Sequence, residues 1–148
     1  MSKELAKVYN IYNLINSFFH YVDDFSLDVT TSEKFSDLFD ENATFSFPKR
    51  NLEKKGREEI KQLCESMGTM FRGYSHLEYN IVVKVEEDSK TATSRSYWSA
   101  HNTFGELTAI GKHGDKFIFD ETKGWLFAER VVELRWTKEE GSLVPLIL

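Results

Sequence analysis

Four histidines and a pair of adjacent aspartates are the residues of this chain best suited to moving protons. Three of the histidines, His76, His101 and His113, fall in segments with strand character: HLEYNIVVKV, SRSYWSAHNTF and AIGKHGDKFIF. Histidine titrates near neutral pH, so it can both take and give a proton there. If these strands are neighbours in one curved sheet, the three imidazoles can converge on its concave face. Asp23 and Asp24 end an apolar first helix that can close over that face. A His/Asp cluster in an aromatic-walled pocket has the makings of an acid–base site. His20, in mid-helix beside Tyr21, reads as structural.

Helices and strands must position these groups. From Glu4 to about Leu27 apolar residues recur at steps of three and four, through Leu14, Ile15, Phe18, Phe19, Val22 and Phe25, which predicts a helix. Ser32 reads as the N-cap of a short second helix, EKFSDLF. Phe39 to Asn42 reads as a turn, and ATFSFP as a short strand stopped by Pro48. The mixed-charge stretch from Lys49 to Glu59 reads as a solvated loop running into a third helix, REEIKQLCESMGTMF, after Gly56. Beyond Gly73 four long strands follow, joined by short turns, as in an antiparallel meander. The expected class is α+β, one domain over residues 1–148, with helices on one face of a bent antiparallel sheet. The apolar tail, residues 138–148, is expected to dock on its own domain or on a second subunit.

Composition excludes several functions. The net charge is −5 and no Lys/Arg block interleaves with aromatics, which argues against nucleic acid and anionic membranes as partners. No apolar run is long enough for a membrane span, and the N-terminus lacks the pattern of a secretory signal, so a cytoplasmic location is expected. Cys64 is the single cysteine; no internal disulfide can form, and a buried structural thiol is expected. Twelve Phe in 148 residues imply a thick core or a large apolar cavity. No HxH or HxxxH spacing supports a metal site.

Alternation groups side chains by face. Tyr97, Ser99, His101 and Thr103 share one side of their strand. Ala109, Gly111, His113, Asp115 and Phe117 share one side of the next. His76, Glu78, Asn80 and Val82 share one side of the first. Polar groups mixed with small and aromatic ones fit a cavity for a partly polar ligand. The expected catalytic set is Asp23, His76, His101, His113 and Asp115. Tyr97, Asn80, Phe18, Val22, Phe47, Phe117 and Trp125 are the expected substrate contacts. Plainer readings compete: His76 as a turn cap, His101 as a hydrogen-bonded core residue, His113 as an exposed one, and the aspartates as polar residues at a helix end.

In order along the chain, these pieces resemble the nuclear-transport-factor-2-like superfamily, and within it the SnoaL-like group that includes scytalone dehydratase. The resemblance runs from about Leu5 to Thr137. It rests on the long helix ending in Asp, the run Leu38-Phe39-Asp40-Glu41-Asn42-Ala43-Thr44-Phe45, and Gly56 to Ile60. It continues through His76 to Asn80, Ser96-Tyr97-Trp98, Gly111-x-His113-x-Asp115, and Gly124-Trp125 leading to Arg130. It implies a cone-shaped sheet with three N-terminal helices over its concave face. By this resemblance Asp23 stands for the helix-end aspartate. His76 and His101, 25 residues apart, stand for the pair that removes a proton and assists departure of hydroxide. Gly111 and His113 fall where that family has a serine and an asparagine. Its two water-holding tyrosines correspond to Val22 and Phe47, so a different proton transfer on an apolar, oxygenated ring compound suits this chain better.

The leading expectation is a cofactor-independent lyase or isomerase (dehydratase, isomerase or cyclase). The alternatives are a non-catalytic binding module for a hydrophobic metabolite and a non-catalytic subunit of a larger assembly. The resemblance also implies a homodimer through the outer sheet face, with Trp98, Val131 and Val83 as candidate contacts.

Overall fold

A computed structural model describes residues 1–138. The apolar tail expected to dock lies, from residue 139 onward, outside the described residues. The first helix, α1 (Lys3–Asp24), is started by Ser2, whose hydroxyl accepts from Leu5 N–H at 3.2 Å. Its buried residues Ile11, Leu14, Ile15, Phe18, Phe19 and Val22 form the stripe that the three- and four-residue spacing predicts. The short α2 (Thr31–Ser36) and α3 (Gly56–Met70) complete the helical layer. In α3, Ile60, Leu63, Cys64 and Met67 turn inward.

The sheet has six strands: β1 (Phe39–Phe47), β2 (Leu52–Lys55), β3 (Ser75–Val85), β4 (Thr91–His101), β5 (Leu107–Asp120) and β6 (Gly124–Thr137). Their order across the sheet is β2-β1-β6-β5-β4-β3. The meander from β3 to β6 is antiparallel, as expected. The sheet as a whole is mixed, because β6 returns beside β1 in the same direction, with Phe45 opposite Arg130. The chain between them, through β2 and α3, is long enough for such a crossover. Two local expectations are corrected. Phe39 to Asn42 is the irregular start of β1, and Leu52–Lys55, read as loop, is a strand paired with Thr44–Phe47. A 3-10 turn, Pro48–Arg50, and a left-handed Asn51 (φ 57°) reverse the chain between β1 and β2.

The Phe-rich core lies between the helices and the concave face. Phe18, Phe35, Phe39, Phe45, Phe117 and Phe127 are all buried to 2% exposure or less. Each contributes roughly 1.5–3 kcal/mol relative to an exposed ring. Phe39 stacks on Phe127 at 4.9 Å and Phe117 lies 4.9 Å from the same ring. Val22 is also sealed in this core, and Trp125 packs edge-on against Phe119 at 5.5 Å. Val22, Phe117 and Trp125 are therefore packing residues, not the pocket walls expected of them.

Register fixes which face each strand residue takes. His76 pairs with Ala100 and Glu78 with Trp98; Trp98 pairs with Gly111, and Ser96 with His113. All of these point inward. Trp98 and Val83, expected on the outer face, lie on the inner one, and Val131 is half-buried. The outer face instead exposes Leu77, Tyr79 and Trp136, with Tyr79 stacked on Tyr97.

Candidate functional site

A cavity of about 540 Å³ opens between α1, α3 and the concave sheet face. Its walls are apolar, chiefly Phe18, Phe19, Phe47, Met67, Phe71 and Trp98. Two imidazoles, those of His76 and His113, interrupt this lining.

His76 begins β3 just where α1 ends. The Asp23 carboxylate spans both its polar groups: Oδ2 accepts from the His76 backbone N–H at 2.9 Å, and Oδ1 lies 2.6 Å from Nδ1. A carboxylate accepts only, so Nδ1 carries the proton and, in the neutral ring, Nε2 keeps a lone pair. Among the described residues Nε2 has no protein partner and is not sealed from the cavity. Phe19 stacks on the ring at 4.8 Å and 13°, with Phe71 edge-on at 5.7 Å, which fixes the ring plane. Of the three neighbouring aspartates only Asp23 reaches a histidine. Asp24 is exposed, and Asp28 caps Thr30 through N–H and hydroxyl.

His113 repeats the device from the middle of the sheet. Its Nδ1 lies 2.9 and 2.8 Å from the two oxygens of Glu78, and Trp98 stacks on it at 5.9 Å. Glu78 is held in turn by Arg130. Arg130 Nε donates to Asp115 Oδ1 at 2.9 Å, and Ser94 Oγ donates to Asp115 Oδ2 at 2.9 Å. The Arg130 guanidinium lies 4.4 Å from the Phe18 ring centroid and 5.0 Å from that of Phe127, a cation–π sandwich in the core. Four charged or titratable side chains, each nearly or wholly buried, thus form one chain leading to a single cavity-facing ring.

Burial sets their protonation. Burial, reinforced by the Arg130 charge, pushes His113 below its ordinary range, so the ring is neutral and its Nε2 is a base. Burial alone would raise Glu78, but Arg130 and His113 together hold it below the usual carboxylate range. Burial pushes Asp115 up, against the pull of Arg130. Stability follows. The unfolded His113 gains a proton below about pH 6.5 while the buried ring does not, so acidification through that value destabilises the fold. Glu78 adds a second loss as pH falls past about 4.3; Asp115, which protonates more readily folded than unfolded, opposes it. His113→Asn is expected to flatten the fall in urea midpoint between pH 7 and pH 5. An unchanged slope would show that His113 carries a proton in the fold.

Not every expected site residue reaches the cavity. Asp23, His76, His113, Phe18 and Phe47 line it or contact a lining group directly, and Asp115 lies behind His113 in the buried chain. His101 does not join them. Ala100 is the residue opposite His76, so alternation turns His101 to the outer face, where Ser99 Oγ lies 3.1 Å from its Nε2. Tyr97 shares that face, stacked on Tyr79. Asn80 takes a left-handed conformation (φ 55°) in a bulge between Tyr79 and Val82, which reverses the alternation and leaves it exposed. Glu78 and Arg130 were not among the expected site residues. Glu78 had a signal in its parity with His76, and Arg130 in being a charge at the same parity as Val132 and Leu134. Cys64 is buried, its thiol pushed up to about 12 by burial, and serves as packing.

Gly111 makes room for this arrangement. A Cβ there would sit 2.2 Å from the Glu133 carbonyl oxygen and 2.5 Å from the Trp98 indole. Gly111→Ala is therefore expected to cost about 1–3 kcal/mol and to displace Trp98 from His113. Denaturant midpoints and Trp fluorescence read the two effects.

Three helices over one face of a mixed sheet, with a pocket between the layers, define an NTF2-like, or cystatin-like, α+β protein. The chain matches the SnoaL-like domain over residues 3–131 and belongs to that family. Among solved structures it is similar to an NTF2-like protein with a cystatin-like fold from Novosphingobium aromaticivorans (20% identity, TM-score 0.78, covering 99% of this chain and 92% of that one). It is also similar to a protein of the same organism provisionally assigned as a scytalone dehydratase (25% identity, TM-score 0.73, covering 90% and 87%). A third likeness is to the hexachlorocyclohexane dehydrochlorinase LinA-type3 of Novosphingobium barchaimii (11% identity, TM-score 0.75, covering 90% of each chain), which shows the fold alone. No curated protein matches in sequence. No helix among the described residues is long and apolar enough to cross a membrane.

Proposed function

We propose that this protein is a cofactor-independent lyase or isomerase that moves a proton on a small, hydrophobic, oxygenated ring compound. One observation carries the reading: two imidazoles, each fixed at Nδ1 by a carboxylate, border one apolar cavity. His76 is the base that takes a proton from carbon next to a carbonyl or hydroxyl. His113, whose bare Nε2 is a second acceptor, takes a hydrogen bond from a substrate hydroxyl, and the His76 imidazolium returns its proton to the departing oxygen or to another ring carbon. Asp23 holds His76 in its tautomer and stabilises the imidazolium as it forms. The aromatic walls exclude water, which strengthens each of these interactions. The names of two fold neighbours, a dehydratase and a dehydrochlorinase, support elimination chemistry. The reading takes the protein as a cytoplasmic homodimer, and the exposed Leu77, Tyr79 and Trp136 on the outer face support the pairing.

Proton removal can be followed before the natural substrate is found. Ring ketones of suitable size, 2-tetralone first, deuterated at the acidic carbon, are expected to lose deuterium to water faster with the protein than in buffer. Binding of such compounds without any acceleration would make the pocket a carrier of hydrophobic metabolites instead.

A further inference from the structure

The cavity has a second polar region that the two imidazoles do not explain. Arg50, the last residue of the 3-10 turn after β1, lines it, and so does Thr137 at the end of β6. The Nε of Arg50 and the Oγ1 of Thr137 are both buried, and among the described residues neither has a hydrogen-bond partner. Buried polar atoms are nearly always matched, so two orphans on side chains of one cavity wall are unusual. The two Nη groups of Arg50 also have no partner among the described residues and, unlike Nε, are not sealed, so the guanidinium keeps donors free for a ligand. The other cation at the rim, Lys138, is already paired with Glu106. Arg50, by contrast, forms no ion pair among the described residues that line the cavity with it.

Sheet order sets the spacing. His76 is on β3, whereas Thr137 is on β6, three strands away, and Arg50 follows β1, one strand further. At about 4.8 Å per strand, His76 and Thr137 are roughly 14 Å apart along the curved sheet, and less across its chord. His113, on β5, lies between them. We infer that Arg50 and Thr137 form an anchoring subsite for a carboxylate, so that the pocket takes a flat apolar acid with its reactive carbon at His76 and its anionic oxygens at Arg50. A guanidinium is a permanent cation with a planar donor fork that suits a carboxylate, and the threonine hydroxyl adds a neutral donor. The net charge of −5 disfavours anions overall, so a preference for one must come from such a local group. The inference deepens the proton-transfer reading and assumes that the same cavity binds the substrate.

Equilibrium binding tests it without turnover. 2-Naphthoate and the neutral 2-methylnaphthalene are titrated against the full chain at pH 7, read by quenching of tryptophan fluorescence, Trp98 being the indole that lines the cavity. The acid is expected to bind at least tenfold more tightly. Arg50→Leu is expected to abolish that preference while leaving the affinity for 2-methylnaphthalene within about twofold, which also reports an intact cavity. Thr137→Val is expected to reduce the preference severalfold, and it decides the matter if Arg50→Leu does not fold. Equal binding of the two probes, binding of neither, or a preference that survives both substitutions overturns the inference. If the preference holds while deuterium exchange fails, the subsite stands and the catalytic reading falls; the reverse result removes the subsite alone.

Discussion

His76→Ala is expected to slow deuterium loss from a ring ketone by a factor of about 10²–10⁴, the range supplied by a positioned general base. Ligand affinity is expected to change by less than about threefold, because the ring occupies only one edge of a cavity walled by Phe18, Phe19, Phe47, Phe71 and Trp98. This split between rate and binding separates a chemical role from a packing role. Asp23→Asn is expected to move the rate in the same direction, since an amide can donate to Nδ1 and so turn the lone pair away from the cavity. If His76→Ala weakens binding as much as it slows exchange, His76 is a wall residue.

Arg130→Met is expected to be the most destabilising single change. It removes the one cation between Glu78 and Asp115, both nearly or fully buried, and leaves two carboxylates facing each other in the core. Breaking a buried ion pair from one side costs about 3–5 kcal/mol, a large part of the 5–15 kcal/mol typical of a whole domain. The cation–π contacts with Phe18 and Phe127 are lost as well. Urea unfolding reads the change as a lower midpoint with an unaltered slope. A loss below about 1 kcal/mol would mean that Glu78 is held against His113 by something other than Arg130. Arg130→Met and Gly111→Ala act on the same ring, one through Glu78 and the other through Trp98, so their effects on His113 should not add.

Much of this was legible in the residues, for physical reasons that also explain the errors. The stripe of α1 could be read because a helix face repeats every three to four residues, and it put Asp23 at the end of the helix, where it meets the start of β3. Alternation grouped His113 correctly with Gly111 and Asp115. Alternation does not say which group faces in, however, and so it puts His101 and Tyr97 on the cavity side although they point outward. Only register resolved it, with Ala100 opposite His76. The bulge at Asn80 was invisible for a related reason: one left-handed residue reverses the parity of all that follows, so Val83 turns inward. β2 carries no strand signal because its sequence, LEKK, is charged, and its partner β1 supplies the ladder. The parallel pairing of β1 with β6 is a long-range contact with no local signature. Arg130 illustrates the general case: a charge among apolar strand residues usually signals an exposed edge, and here it signals a buried network.

The central claim is that Asp23 and Glu78 fix both cavity-facing imidazoles with the proton on Nδ1 and the lone pair on Nε2. Nitrogen-15 NMR of the histidine rings tests it most directly, with the exposed His20 as internal reference. At pH 8, His76 and His113 are expected to show a protonated Nδ1 and a bare Nε2. Asp23→Asn is expected to disturb His76 and leave His113 unchanged. If both rings show the Nε2–H form, or the tautomer mixture of His20, the two carboxylates do not orient them and the acid–base account fails.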